Sequence, residues 1–582
     1  MKQLAPTALL GQRFARIAAC CLLTCSLQAQ AGIKDVSQEE LAQLIANATG
    51  TAPTLKLNSA VQGSTVIFAR LTRTGQAAPN GIGLCYSSTN PEPTVLDNYT
   101  LTTYSNNGFI YAMENLKPAT VYYIRAFGIG ANWKVGYSKP IKLYTLPKGN
   151  VSYWYENNGD DATNKRIIAA ADDAIKYWNN VTGHTKNFSL SIHYVYGAGA
   201  GGGAGTADCS HGGYMRVGGN PSYQRTGTIM HEGSHGLGVI GWDNGYSPTN
   251  WISSIYRSNN TRGTWLGDRV DRVMHFLENN NTAVLNGDYQ HMWPYGINGA
   301  GEDNGTPILY YANALIVGAL GEDNLPLWGY DFAKPAYTFE QDDTLKYYIK
   351  NADEDHGLRT SYLRENASRA LRWQAGLSDD ILANDSFAWH ITFNPATCYY
   401  TFKNVATGNT IIYNGSNFRT TATPTNDQKR LQLLAARETS KVGTYNFATK
   451  SYWITEPNGS KAMNAGDNEA TNVADFDHAN TATTQRWFLM TPTEVDRFGS
   501  RVGDKAVGIQ PIQHHTDAQG ALMVGGGHGF VAITATSDNA DVQIVSLGGQ
   551  LVKTVYVTRG NTATIQLPRG IYIVGGHKVA VK

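Results

Sequence analysis

The chain has 582 residues and only six cysteines, three of which, Cys20, Cys21 and Cys25, fall in its first 31 residues. Cys85, Cys209 and Cys398 remain. An odd number so widely spaced excludes a disulfide framework. Stability must come from hydrophobic cores, for which the chain is long enough to build several. Charge is scarce and balanced: 16% of residues are charged, 47 basic against 46 acidic. Residues 1–31 carry three basic and no acidic residues, leaving 44 against 46 and a net charge of −2. That balance excludes a polyanion-binding surface of the nucleic-acid type and a polybasic membrane anchor. Beyond the start, no run of about 18 uninterrupted apolar residues occurs, so no transmembrane segment is expected. The Gly-rich stretch Gly197–Gly205 lacks the Gly-Lys-Ser/Thr ending of a phosphate loop. What is abundant is Gly, Tyr, Asn and Thr, a texture suited to β-rich, turn-rich extracellular modules.

Residues 1–31 read as a secretory signal peptide. Lys2, Arg13 and Arg16 supply positive charge, Ile17 to Leu27 is apolar, and Ala29-Gln30-Ala31 is a small-x-small cleavage site. A lipoprotein signal ending at Cys25 is the rival, but Thr24 fits poorly before a lipidated cysteine. A secreted or cell-surface location is therefore expected.

The chemistry concentrates in Met230-His231-Glu232-Gly233-Ser234-His235-Gly236-Leu237-Gly238. Residues four apart on an α-helix lie on one face, so His231 and His235 can present two imidazoles to one Zn²⁺. Glu232 sits one step round the helix. Zinc with three protein ligands and an open position lowers the pKa of a bound water to roughly 7. A carboxylate beside it can take the proton and later pass it to a leaving amine. The plainer alternative is a helix with two surface histidines. Against it stand the amphipathic mixture from Thr226 to Ile240 and the glycines Gly236 and Gly238, where a helix can end.

This H-E-x-x-H run resembles zinc peptidases. Metzincins continue it with x-x-G-x-x-H/D; Gly238 matches, but Gly241 stands at the last ligand position and Asp243 comes two residues late. The third ligand of that family cannot be carried over. His291, in Gly287-Asp288-Tyr289-Gln290-His291-Met292-Trp293-Pro294-Tyr295-Gly296, is the preferred candidate, followed by Glu302 in the loop Gly299–Asp303 and by Asp243; Glu302 would give a site resembling gluzincins. Asn220 to Arg225, the H-E-x-x-H run and the His-Met-Trp-Pro-Tyr-Gly run together resemble secreted bacterial zincins over about 160 residues. The resemblance implies an α/β zincin domain at residues 149–378. Its zinc would be held by His231, His235 and, as the preferred third ligand, His291, with Glu232 as general base; a developing oxyanion needs a donor, for which Tyr295 is the candidate. It also implies a strand before the zinc helix, Met215–Gly218, along the cleft edge. Within this region Asp161 to Asn180 has helical spacing, Phe188 to Tyr196 alternates as a strand carrying His193, and Pro307 to Leu320 and Leu358 to Trp373 are expected helices over the site.

The remainder reads as β modules. Ser37-Gln38-Glu39-Glu40 opens a short helix in residues 32–51. Residues 52–148 alternate with turns about every ten residues. Leu116-Lys117-Pro118-Ala119-Thr120-Val121-Tyr122 resembles the corner of a fibronectin type III-like sandwich, expected as a spacer with Tyr122 packed across it. Residues 379–495, with Asn404-Val405-Ala406-Thr407-Gly408 and Gln485-Arg486-Trp487, resemble a ricin-type β-trefoil. Gln485 and Trp487 are expected in its core, and glycan binding is the role such a module implies. Tryptophan recurs at Trp389, Trp453 and Trp487 without three clear repeats. Residues 496–582, with Gly570-Ile571-Tyr572-Ile573-Val574 near a Lys582 end, resemble C-terminal sorting β-domains of Bacteroidetes type IX export. The combined expectation is a secreted zinc metallopeptidase acting on extracellular polypeptide or glycoprotein. The rivals are a zinc hydrolase of glycan or cell-wall amides and a non-catalytic glycan-binding adhesin.

Overall fold

The computed structural model describes residues 32–182, 188–200, 202–240, 263–265, 267–288, 290–323, 337–352, 361–368, 370–376, 378–436, 451–466, 474–477, 482–498, 515–516, 522–536, 540–546 and 550–582. The signal-peptide reading and Asp243 fall outside them. The protein is multidomain and mostly β. No described helix is long and apolar enough to cross a membrane.

Helix α1 (Gln38–Ala46) is capped by Ser37, whose hydroxyl accepts from Glu40 N at 3.2 Å. Nine strands follow: β1 (Thr54–Gln62), β2 (Ile67–Thr74), β3 (Gly81–Ser87), β4 (Asn98–Thr100), β5 (Thr103–Ser105), β6 (Phe109–Met113), β7 (Val121–Ile129), β8 (Val135–Tyr137) and β9 (Ile141–Tyr144). They form two sheets, β1-β2-β6-β5 and β4-β3-β7-β8 with β9 on β7. Tyr122 is buried and its hydroxyl accepts from Lys117 N at 3.0 Å, as the Leu-Lys-Pro corner implies. The sandwich does not stand apart from the unit that follows it. Val61, Val66, Phe68, Ile110 and Ala112 of this sandwich share one continuous core with the helices of the next unit.

That unit has a four-stranded sheet ordered β10 (Val151–Tyr155), β11 (Phe188–Tyr194), β13 (Tyr214–Val217) and β12 (Ala207–Cys209). The first three are parallel; β12 runs antiparallel to β13. On the inner face Leu190, Ile192, Met215 and Val217 share the core with α2 (Asp161–Val181), α3 (Thr226–Gly236), α4 (Asp268–Glu278) and α5 (Pro307–Glu322). The expected edge strand is corrected: β13 is interior, and the edge is β12. The short turn from Ser210 to Gly213 folds β12 back beside β13, and a three-residue strand leaves no alternation to read. Two-residue strands β14 (Gly263–Thr264), β15 (Asn286–Gly287) and β16 (Met292–Trp293) make a small ladder leading into the Trp-Pro-Tyr-Gly turn.

Twelve strands come next: β17 (Tyr347–Asn351), β18 (Ser361–Glu365), β19 (Leu371–Ala375), β20 (Ala388–Asn394), β21 (Tyr399–Asn404), β22 (Thr410–Tyr413), β23 (Phe418–Thr421), β24 (Gln432–Ala435), β25 (Ser451–Thr455), β26 (Lys461–Asn464), β27 (Ala474–Asp477) and β28 (Arg486–Met490). Pairings β17–β20, β20–β21, β24–β25, β25–β28 and β28–β17, with a Tyr400–Leu431 bridge between β21 and β24, close a six-stranded ring. Three hairpins, β18–β19, β22–β23 and β26–β27, lie outside it. This is one four-strand unit repeated three times. Trp389 Nε1 donates to Leu363 O at 3.3 Å, and Trp487 Nε1 donates to Met463 O at 3.0 Å, the same contact one hairpin apart in the first and third repeats. Trp453, on β25, holds a different position. Gln485 and Trp487 are buried, as expected of core residues.

Two corrections arise here. Over the described residues 361–368 and 370–373, the helix expected from Leu358 to Trp373 is instead the hairpin β18–β19: Asn366 Oδ1 accepts from Ser368 N and Ala370 N, both at 3.0 Å, turning the chain. Leu371 and Trp373 are buried on alternate positions. The boundary expected at residue 378 therefore falls inside this ring, since β17 already belongs to it.

The described strands between residues 515 and 581 form two four-stranded sheets around Val531, Ile533, Ile544 and Val574. The strands Gly570–Val574 and His577–Val581 join through Gly575 and Gly576, both with positive φ, the backbone a two-residue hairpin needs.

Candidate metal centre

Helix α3 carries His231 and His235 one turn apart, and glycines let it be buried. A Cβ on Gly233 would lie 2.9 and 3.2 Å from Trp178 Cζ3 and Cζ2, and closer to Cη2. One on Gly236 would lie 2.8 Å from Cys209 Sγ. The helix is thus wedged between α2 and the edge strand. Its first turn is held by Asp303, a buried carboxylate that accepts from Gly227 N at 3.0 Å and from the Tyr310 hydroxyl at 2.7 Å. Gly236 is its last residue, and Gly238, with φ 76°, ends it. Gly238 N donates to His235 O and Val239 N to Ser234 O, both at 2.9 Å, the paired bonds of a Schellman stop.

The two imidazoles converge. His231 Nε2 and His235 Nε2 are 3.3 Å apart and both side chains are buried. His231 Nδ1 lies 2.9 Å from Gly296 O. A carbonyl only accepts, so Nδ1 carries the proton and Nε2 carries the lone pair. Burial, with His291 acting in the same sense and the Gly296 carbonyl opposing, pushes His231 down to about 4. The ring is neutral at pH 7, the state a metal ligand requires.

His291 stacks on His231, centroids 5.9 Å apart and planes 21° from parallel. Its Nδ1 lies 3.1 and 3.2 Å from the two oxygens of Asp288, and its backbone N donates to Asp288 Oδ1 at 2.8 Å. Asp288 thereby turns the ring and leaves Nε2 as the acceptor, the arrangement by which a carboxylate orients a ligating histidine. Among the described residues no three His, Cys, Asp or Glu side chains stand close enough together to hold a metal as a set. The convergent pair is His231 and His235, with His291 beside it.

Glu232 is half-buried next to β12. Burial, reinforced by Asp208 and opposed by the Cys209 N–H, pushes its carboxyl up to about 8. Glu302 is exposed and engaged within its own loop, accepting from Asn298 N at 2.9 Å and from Asn298 Nδ2 at 3.1 Å. Tyr295, the candidate oxyanion donor, donates its hydroxyl to Glu278 Oε1 at 2.5 Å and accepts from Asn106 Nδ2 at 2.9 Å. The structure thus gives that hydroxyl a different set of partners. Asp288, Asp303 and the Gly296 carbonyl have no signature in the sequence beyond the Asp288-x-x-His291 spacing.

His193 is a strand residue on the outer sheet face. Its Nδ1 meets Glu156 Oε2 at 2.7 Å, and Ser191 Oγ meets its Nε2 at 2.9 Å. This relay looks like a nucleophile and its base. However, β11 is paired on both sides, so its backbone N–H groups are taken up by the ladder rather than offered to an oxyanion.

No protein-family model and no curated protein matches the chain. Among solved structures it is similar to the cytolethal distending toxin of Haemophilus ducreyi, at 12% identity and TM-score 0.20, over 26% of this chain and 87% of that one. The toxin of Actinobacillus actinomycetemcomitans gives 12% identity and TM-score 0.20, over 31% and 99%. A mosquitocidal holotoxin gives 10% identity and TM-score 0.22, over 41% and 30%. At these scores the likenesses bear on neither fold nor activity.

Proposed function

We propose that the chain is a secreted zinc-dependent endopeptidase that hydrolyses peptide bonds of extracellular proteins or glycoproteins. The observation that carries this reading is the 3.3 Å between His231 Nε2 and His235 Nε2. Zn–N bonds of about 2.0–2.1 Å in a tetrahedron put two ligand nitrogens about 3.3–3.4 Å apart. Two imidazoles, that of His231 neutral and with its lone pair on Nε2 because Nδ1 faces Gly296 O, fit that edge. His291, oriented by Asp288, is the third ligand in this reading.

A Zn²⁺ held by these residues would supply Lewis acidity and lower the pKa of water. Glu232 would take a proton from the attacking water and return it to the leaving amine, and a carboxyl tuned upward suits a group that must both take and give a proton near neutrality. Among the described residues no strand pairs with the outer side of β12, so an extended substrate can add there by backbone hydrogen bonds. In this reading residues 149 to about 323 are the zincin domain and the six-strand ring with three hairpins is a β-trefoil that can bind glycan. The terminal sandwich addresses the chain to the type IX secretion machinery.

The test is cleavage of plain and glycosylated proteins by the purified chain and by Glu232→Ala, with zinc content measured for both. Turnover that the variant loses while keeping its zinc supports the reading. Zinc bound with no polypeptide cut refutes it and points to amide-bearing glycans.

A further inference from the structure

The sandwich that precedes the metal-site unit reaches into it with one buried cation. Arg70, on β2, is only 4% exposed. Its Nε donates to Phe276 O at 2.7 Å and its Nη2 to Leu277 O at 2.9 Å, closing carbonyls at the C-terminal end of α4. The same guanidinium holds the β5–β6 turn: Nη2 donates to Asn106 O at 2.7 Å and Nη1 to Asn107 O at 3.2 Å. The turn then makes its own contacts. Asn106 Nδ2 donates to Leu277 O at 2.8 Å and to the Tyr295 hydroxyl at 2.9 Å, and Asn107 Nδ2 donates to Glu278 Oε2 at 2.8 Å.

Tyr295 is where this frame meets the metal site. It has φ 69°, a left-handed conformation that a bulky residue holds only when its surroundings impose it. Its hydroxyl is fixed by Asn106 and Glu278, and its carbonyl accepts from Asn313 Nδ2 of α5 at 2.9 Å. The next residue, Gly296, supplies the carbonyl that sets the His231 tautomer. The turn is tight, since a Cβ on Gly296 would overlap the Met292 carbonyl. His291 lies at the other end of the same turn.

We propose that the N-terminal sandwich is a working part of the metal site. Arg70 and Asn106 are positioning residues that act through Tyr295 and Gly296 to orient His231 and, across the turn, His291. The inference rests on the reading of these histidines as zinc ligands and is independent of what the site cleaves.

The experiment compares the full chain with Asn106→Ala, Tyr295→Phe, the double variant, and Thr72→Ala on the exposed end of β2 as a control. Zinc affinity is measured by competition with a chelator, the Co²⁺-substituted absorption spectrum reports ligand geometry, and circular dichroism reports folding. Supporting partners of metal ligands are worth about 10–100-fold in affinity. Asn106→Ala and Tyr295→Phe are each expected to weaken zinc about tenfold and shift the Co²⁺ spectrum with the fold retained. The double variant should lose less than the sum of the two, because both remove the shared Asn106–Tyr295 bond; Thr72→Ala should match the parent. Wild-type affinity and spectrum in both single variants would overturn the proposal, as would losses that simply add. A parent chain that binds no zinc would overturn the zinc reading and this one together. A parent that binds zinc without cutting polypeptide overturns only the peptidase reading.

Discussion

Replacing Gly233 with alanine tests whether helix α3 is held by direct contact with α2. In an exposed helix this change stabilises by about 0.8–1.0 kcal/mol. Here the added methyl would lie 2.9 Å from Trp178 Cζ3 and closer to Cη2, against a carbon–carbon optimum of about 3.5–4.0 Å. Trp178 is fully buried in the core that α2 and α3 share, so its ring has no solvent to retreat into. Overpacking of this kind costs about 1–3 kcal/mol and occasionally more. With the ring immobile, the cost falls at the upper end, and the net effect is a loss of about 2 kcal/mol. The background Trp178→Leu removes the obstacle, so the same glycine-to-alanine change should become stabilising by about 1 kcal/mol from propensity alone. The sign therefore reverses between backgrounds, a coupling of about 3 kcal/mol, which lies within the range for residues in contact. The assay is urea unfolding of the zinc-free chain followed by circular dichroism in all four combinations. Because Gly233 lies between His231 and His235, the alanine should weaken zinc binding in the parent background and leave it intact in the Trp178→Leu background. An alanine that stabilises equally in both backgrounds would refute the packing argument.

Three further outcomes are expected. Glu232 has a folded pKa of about 8 against an ordinary value of 4.5. Its contribution to stability is therefore fully present below pH 4.5 and is lost as pH rises through 8. The metal-free Glu232→Gln chain should gain on the parent progressively across that window, while the slope from His231, common to both chains, cancels. Parallel stability–pH curves would refute the assignment. Asp303→Ala removes the cap of α3 and strands the Gly227 N–H and the Tyr310 hydroxyl, for a loss of about 2–3 kcal/mol in denaturant unfolding and weaker zinc binding. An unchanged midpoint would show that the cap is idle. Gly238→Ala places a Cβ at φ 76° and should cost about 1–2 kcal/mol, whereas Gly238→Asn should cost less, since Asn tolerates that conformation. Equal losses for the two would point to crowding instead of backbone strain.

Period and local chemistry are legible without a fold, and they account for much of this chain. Four-residue spacing placed His231 and His235 on one helix face, a two-residue period marked most strands, and the Leu-Lys-Pro corner placed Tyr122. Reading from sequence went astray where the deciding contact is distant in the chain. The three-residue strand β12 is too short to show a period, and only its pairing with β13 makes it the edge. The hairpin β18–β19 has enough apolar residues to pass for a helix, and only the Asx turn at Asn366 and the pairing of β18 with β17 settle it. The three repeats are visible as pairings and as the matching indole bonds of Trp389 and Trp487, since a ring closed by backbone hydrogen bonds tolerates divergent side chains. The orientation of the candidate ligands came from the folded chain and from nothing local. A tautomer depends on the acceptor that a ring nitrogen meets, and Gly296 lies 65 residues from His231. The same holds for Arg70, whose bond to Phe276 spans 206 residues. A surface strand arginine and a buried clamp look alike until the fold brings the helix end to it.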